Sequence, residues 1–257
     1  MSHMNANSEN FTLVVIPYCG EKAQGHELQL ALLGWKKYCR FNHKIVVIGE
    51  GMPYELEGSD VIFIHSKRVQ PRMGMYRQHL DYVSCFRKVH ELFPSHKGFI
   101  FAADDNYPVN DFTLEDILVP KITSNEIKYD SNAAPFTWSA DQNRTFDLLS
   151  FLKAEKKNFT THFPCFFEFD KLFSLYDRFD MDRNSYVVEN LYFNLYKPSE
   201  EPLLLDNGTD AYRYFITDKA QVTPQNISNA FSKKKFICNA EKGWSLTLEG
   251  FLMQHYL

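Results

Sequence analysis

No apolar run in this 257-residue chain approaches the twenty or so residues needed to span a bilayer, and no secretion signal precedes the first patterned segment. There is no excess of basic charge either. Lys and Arg total 28 against 32 Asp and Glu, a net charge of −4 that argues against constitutive nucleic-acid binding through a basic face. Cysteine is scarce, with five residues (19, 39, 85, 165 and 238), an odd number without metal-ligand spacing. We read them as reduced, mostly buried thiols of a cytosolic protein. The five Asn-x-Ser/Thr matches (Asn10, Asn143, Asn158, Asn207, Asn226) are what chance gives in an Asn-rich chain. Internal repeats, low-complexity linkers and a domain boundary are also lacking, so a single domain is expected over 11–257. Residues 1–10 open with "MSHM", which looks like a cloning remnant, and are expected to be disordered. "ENLYFN" at 189–194 resembles a protease-tag site but sits inside a patterned segment, so we treat it as native. A cytoplasmic location is expected, with peripheral attachment to the inner face of the membrane left open.

What the chain does contain is an alternation of short apolar runs and helical patterns. "FTLVVIPY" (11–18), "HKIVVIGE" (43–50), "DVIFIHS" (60–66) and "GFIFAA" (98–103) read as strands. "HELQLALLGWKKYCRF" (26–41) and "GMYRQHLDYVSCFRKVHELF" (74–93) read as helices. In the second, Tyr76, Leu80, Val83, Phe86, Val89 and Phe93 share one face. Such alternation implies an α/β fold with a mostly parallel sheet and flanking helices, Rossmann-like in its first hundred residues. Ligands of such sheets bind beyond the carboxyl ends of the strands. Pro17-Tyr18, Gly49-Glu50, Ser66-Lys67-Arg68 and Asp104-Asp105 all reach that edge. The second half is less regular, with a loop-rich stretch at 120–145 and a helix at about 145–156.

Two adjacent carboxylates behind a buried strand, in "FIFAADDNYPVN" (99–110), need a metal, a cationic partner or water. Their surroundings carry a resemblance. "LVVIPYCGE" resembles the first strand and nucleotide loop of GT-A glycosyltransferases. "GMYRQHLDYVSCFRKVHELFPSHKGFIFAADDNYP" resembles the segment of inverting cellulose- and chitin-synthase-type families that leads into Asp-x-Asp-Asp. "FEFDKLFSLYDRFDM…YVVENLYFNLY" resembles their later segment with a Glu-Asp motif carrying the catalytic base. "THFP" and "FICNAEKGWS" look like Stealth-related bacterial and phage sugar transferases. Two positions depart from the pattern: Ala102 replaces the first Asp, and Asn190 the second acid of Glu-Asp.

The resemblance implies a nucleoside-diphosphate sugar donor, a carbohydrate or other hydroxyl acceptor, and Mn²⁺ or Mg²⁺. It implies a nucleotide-sugar half at 11–110 and an acceptor half at 111–257. Asp104 and Asp105 are the expected metal ligands, against the plainer reading of a solvated turn. His162 is a further candidate for the metal or the diphosphate, against a loop histidine before proline. Glu189, beside an apolar helical stripe, is the expected base, against an exposed helix carboxylate, with Glu168 and Asp170 in reserve. Pro17, Tyr18 and Glu50 fit the nucleotide, by ring stacking and by accepting from the imide or ribose. Lys67, Arg68, Arg72, Arg77 and the lysines at 233–235 are candidate phosphate contacts, against solvated charge and, for Arg77, an ordinary i,i+4 pair with Asp81. Trp138 is a candidate sugar platform. The expected function is hexosyl transfer in surface-polysaccharide assembly. Alternatives are a Stealth-like sugar-1-phosphate transferase, a phage-type DNA-base glycosyltransferase, which the acidic charge disfavours, and a catalytically silent nucleotide-sugar binder. Oligomeric state is left open.

Overall fold

The computed structural model describes residues 11–51, 61–68, 78–196 and 201–257. Its elements begin with β1 (Thr12–Cys19), α1 (Glu27–Tyr38), β2 (His43–Glu50), β3 (Ile62–His65), α2 (Gln78–Leu92) and β4 (Gly98–Phe101). They continue with β5 (Asn106–Pro108), α3 (Leu114–Leu118), β6 (Lys121–Ile122), α4 (Trp138–Phe151), β7 (Cys165–Glu168), α5 (Phe169–Arg178) and α6 (Val188–Leu195). Last come β8 (Leu203–Leu204), β9 (Arg213–Ile216), α7 (Pro224–Lys233), β10 (Phe236–Asn239) and α8 (Leu246–Tyr256). Among the described residues no helix is long and apolar enough to cross a membrane. All five cysteines are free, two of them buried and three half-buried.

The central sheet has the order β3-β2-β1-β4-β7. Its first four strands are parallel and β7 closes the edge antiparallel to β4. Alternation along β1 explains its two apolar faces. Leu13 and Val15 pack with Phe99, Phe101 and the Val83, Phe86 and Val89 face of α2. Val14 and Ile16 point the other way, toward Trp35 of α1, Phe112 and Phe236. Burying each such side chain contributes roughly 1.5–3 kcal/mol.

A second sheet, β5-β10-β9, lies beyond α1. The far face of that helix, Leu30 and Ala31, packs with Tyr107, Ile237, Leu248 and Leu252. Gly34 allows the approach, because a Cβ there would sit 2.7 Å from the Pro108 carbonyl oxygen. Helix α1 is therefore covered on both sides, and its amino end is buried with it.

One helix lies earlier than the sequence reading placed it. Residues 145–156 were expected to be helical, yet α4 begins at Trp138, where the Thr137 hydroxyl accepts from the Ala140 N–H at 3.3 Å. Its buried residues are Asp141, Gln142, Thr145 and Leu149. Three of these four are polar, so apolar periodicity does not reveal the helix. The lysine run at 233–235 also differs from expectation. Lys234 is buried 3.6 Å from Asp210, and Lys235 meets Asp116 at 2.5 Å, so neither is held in reserve for a phosphate.

The β4–β7 pairing has a sharp steric signature. A Cβ on Gly98 would lie 2.2 Å from the Phe167 carbonyl oxygen, whereas one on Gly250, exposed within α8, would meet nothing within 4 Å. Gly98→Ala is expected to lower stability by about 1–3 kcal/mol through overpacking. Gly250→Ala should raise it by about 0.5–1 kcal/mol through helix propensity. Urea unfolding midpoints check both, and an unchanged midpoint for Gly98→Ala would refute the tight pairing of these strands.

Candidate functional site

Because β1 to β4 run the same way, their carboxyl ends open on one edge of the sheet. A cleft of about 820 Å³ lies there, within the range of small-molecule sites. Pro17 and Tyr18 reach it from β1, Glu50 from β2, Lys67 from beyond β3, and Asp104 and Asp105 from beyond β4. His162 enters from the segment before β7 and Glu189 from the first turn of α6. Trp138 stands at its margin, half-exposed. Arg77 and Arg72 lie outside the described residues.

Glu168 is not in this cleft. Strand β7 runs antiparallel to β4, so its carboxyl end points to the opposite edge, and Glu168 sits opposite Gly98. There it bonds Lys171 at 2.5 Å and lies 3.5 Å from Lys97, partners that hold its carboxyl below the ordinary range. Asp170, exposed at the start of α5, is at the same end. Neither reserve base is placed to serve the site.

The paired acids occupy a turn built by one side chain. The Ala102 N–H still donates to Val15 at 3.0 Å, extending the sheet ladder. The Ala103 N–H then donates to the Asn106 side-chain oxygen at 3.0 Å. The Asn106 amide donates to Asp105 Oδ1 at 3.0 Å and to the His162 carbonyl at 3.1 Å. His162 is in the left-handed region with φ of 50°, unusual for a non-glycine residue and frequent at functional sites. Its carbonyl also accepts from Cys238 Sγ at 2.7 Å, and its ring stacks on Phe215 at 4.6 Å. Held this way, His162 Nδ1 lies 3.5 Å from Asp105 Oδ2.

A third carboxylate comes from the buried amino end of α1. Glu27 Oε1 accepts from Asn239 at 3.0 Å, and Oε2 accepts from the Gln24 N–H at 2.9 Å. Tyr107 fixes Asn239 in turn at 2.8 Å. Burial raises the Glu27 carboxyl above its usual range. Asp104 is pushed well above its own by burial first, then by the charges of Asp105 and Glu27. The acids thus face one another and the cleft, which is the electrostatic setting of a cation site. Among the described residues, however, no three metal-ligating side chains are arranged to enclose an ion by themselves. Asp104 and Asp105 are of the donor type that suits Mg²⁺ or Mn²⁺ in the mode that uses one or two carboxylates and takes the remaining oxygens from a substrate phosphate, with His162 beside them.

Glu189 is the other conspicuous group. Its Oε2 is buried with no partner among the described residues, and burial raises its carboxyl while a backbone hydrogen bond and then nearby His162 pull the other way. The two departures noted in the sequence have structural roles. Ala102 is 1% exposed and belongs to the core cluster around Trp35. Asn190 is fully buried and accepts the Phe159 N–H at 2.6 Å, helping hold the segment that leads to His162. Sequence reasoning missed Glu27 and the buried, cleft-lining Arg213. Signals existed: Glu27 opens the helix that follows β1, and Arg213 interrupts the strand pattern "YRYFI".

The crowded acids make a stability prediction. Asp104 titrates higher in the folded chain than near 4, its unfolded value, so the folded state binds more protons and stability falls as pH rises above about 4. Asp104→Asn should therefore melt higher than wild type at pH 7 in chelator, with the difference closing toward pH 4. A variant that melts lower at pH 7, or a gap independent of pH, would contradict this electrostatic picture.

No family model matches the chain, and no curated protein sequence does. Solved structures do resemble it. The WbbM bifunctional glycosyltransferase in its apo form superposes with a TM-score of 0.53 at 11% identity, over 96% of this chain and 50% of that one. At a TM-score of 0.40 lie GlyE of Streptococcus pneumoniae TIGR4 (11% identity, 96% of this chain, 60% of that one) and a glycosyltransferase involved in glycosylation of the major capsid of PBCV-1 (12% identity, 94% and 99%). The chain spans about half the length of WbbM and three fifths of GlyE. In fold, the chain is similar to a glycosyltransferase.

Proposed function

We propose that the chain is a metal-dependent glycosyltransferase of GT-A type. It moves a hexose from a nucleoside-diphosphate sugar, most simply UDP-linked, to a hydroxyl of a carbohydrate acceptor on the cytoplasmic side in surface-polysaccharide assembly. One observation carries the reading: a single carboxyl-edge cleft holds the paired acids, His162 and the carboxylate of Glu189, one oxygen of which is buried without a hydrogen-bond partner among the described residues.

Tyr18 and Glu50, at adjacent strand ends, are suited to the base and ribose, and Lys67 to phosphate. Asp104, Asp105 and His162 would hold Mn²⁺ or Mg²⁺, which when bound neutralises the charge of the diphosphate. Glu189 removes the proton of the acceptor hydroxyl as its oxygen bonds to the anomeric carbon. The bond from that carbon to the diphosphate oxygen breaks, and its electron pair leaves with the diphosphate. A carboxylate with a raised pKa is suited to this proton transfer near neutral pH.

Two measurements test the reading. UDP should raise the melting temperature far more with Mn²⁺ than with chelator, and Asp104→Asn should remove that difference. Equal stabilisation in both conditions would rule out the metal assignment. Glu189→Gln should bind donor normally but turn over at least about a hundredfold more slowly. Nucleoside diphosphate is the expected wild-type product. Nucleoside monophosphate would instead indicate sugar-1-phosphate transfer, and tight donor binding without any product a silent binder.

A further inference from the structure

Arg213 opens β9 and lines the cleft, and only 5% of it is exposed. Its Nη1 donates to the Thr161 carbonyl, and its Nε is buried without a partner. The guanidinium carbon lies 4.8 Å from the centre of the Phe215 ring, the ring that also stacks on His162. Among the described residues it forms no ion pair. Asp210, the carboxylate that most nearly faces it, is occupied. It lies 3.6 Å from Lys234, and its Oδ1 accepts from the Tyr212 and Arg213 backbone N–H groups at 2.6 and 2.8 Å.

A buried guanidinium without a carboxylate is costly, and the cost is relieved when a ligand brings an oxyanion. The planar fork of donors matches phosphate oxygens, and Thr161 uses only one of its arms. Its position is informative as well. Phe215 links it to His162, which faces Asp105, so an anion on Arg213 lies alongside the acids rather than at a separate surface. We propose that Arg213 is a metal-independent anchor for a phosphoryl group of the donor diphosphate. The identity of that anion rests on the glycosyl-transfer reading; the anchor itself does not. The cleft then holds its donor from two sides, by the cation on the acids and by a permanent charge supplied by the chain.

The test uses inorganic pyrophosphate, EDTA and the full chain in titration calorimetry. Wild type should bind, Arg213→Gln at least about tenfold more weakly and Arg213→Lys in between, because a hydrogen bond to a charged group is worth a factor of this size. Glucuronate, a simple carboxylate sugar, should bind no more weakly to Arg213→Gln than to wild type. Equal pyrophosphate affinity in wild type and Arg213→Gln overturns the proposal, as does a loss confined to glucuronate. Should the variants fail to fold for want of the Thr161 contact, wild type alone decides. Pyrophosphate in EDTA must raise its melting temperature, and less so as NaCl increases; no rise overturns the anchor. Absence of turnover with every nucleotide sugar would remove the glycosyl-transfer reading while leaving these pyrophosphate results standing.

Discussion

The side chain of Asn106 joins two segments far apart in sequence, its own acidic turn and the one that carries His162, and the site depends on it. Its oxygen accepts from Ala103, and its amide donates to Asp105 and to the carbonyl of His162. It is also the first residue of β5, where the chain leaves the parallel sheet and enters the second one. One buried amide thus closes the acidic turn, aims one carboxylate and clamps the backbone that carries the histidine. Satisfied on both ends, it gains from burial in a way that a half-bonded amide would not.

Around this junction the protein tolerates electrostatic strain. Asp104, Asp105 and Glu27 repel one another, Oε2 of Glu189 is buried without a partner among the described residues, and His162 holds a left-handed backbone. None of these stabilises the empty fold. They persist because two apolar layers and a covered α1 over-determine the surrounding structure. Concentrated like charge costs stability here, as expected when a site is organised for a ligand rather than for the folded state alone.

Most of the cleft was legible because one rule governs a parallel sheet: the carboxyl ends of its strands share an edge. Pro17, Tyr18, Glu50, Lys67 and the two acids needed only strand boundaries, which apolar runs mark well. Glu168 shows where that logic stops. Its strand looks like the others in composition, and only its pairing partner reveals that it runs backwards. Helix α4 was displaced for a different reason, since its buried face includes Asp141 and Thr145. Glu27 and Arg213 were passed over because each is charged, and sequence pattern assigns charge to solvent unless a cavity is already known.

The same geometry reframes the two substituted motif positions, which were the main sequence argument for a silent binder. Ala102 belongs to the cluster of Val14, Trp35 and Ile100, so an acid there would carry a desolvation cost, although the residue also borders the cleft. Asn190 faces away from the cleft and accepts the N–H of Phe159, a bond that orders the approach to His162. A carboxylate there would accept the same bond but would bring a buried charge with it. Both positions thus have a packing or hydrogen-bonding role in the fold. Under the proposed glycosyl-transfer reading, the chemistry would fall to the acids after β4, the histidine before β7 and Glu189 in the first turn of α6, all of which line the cleft.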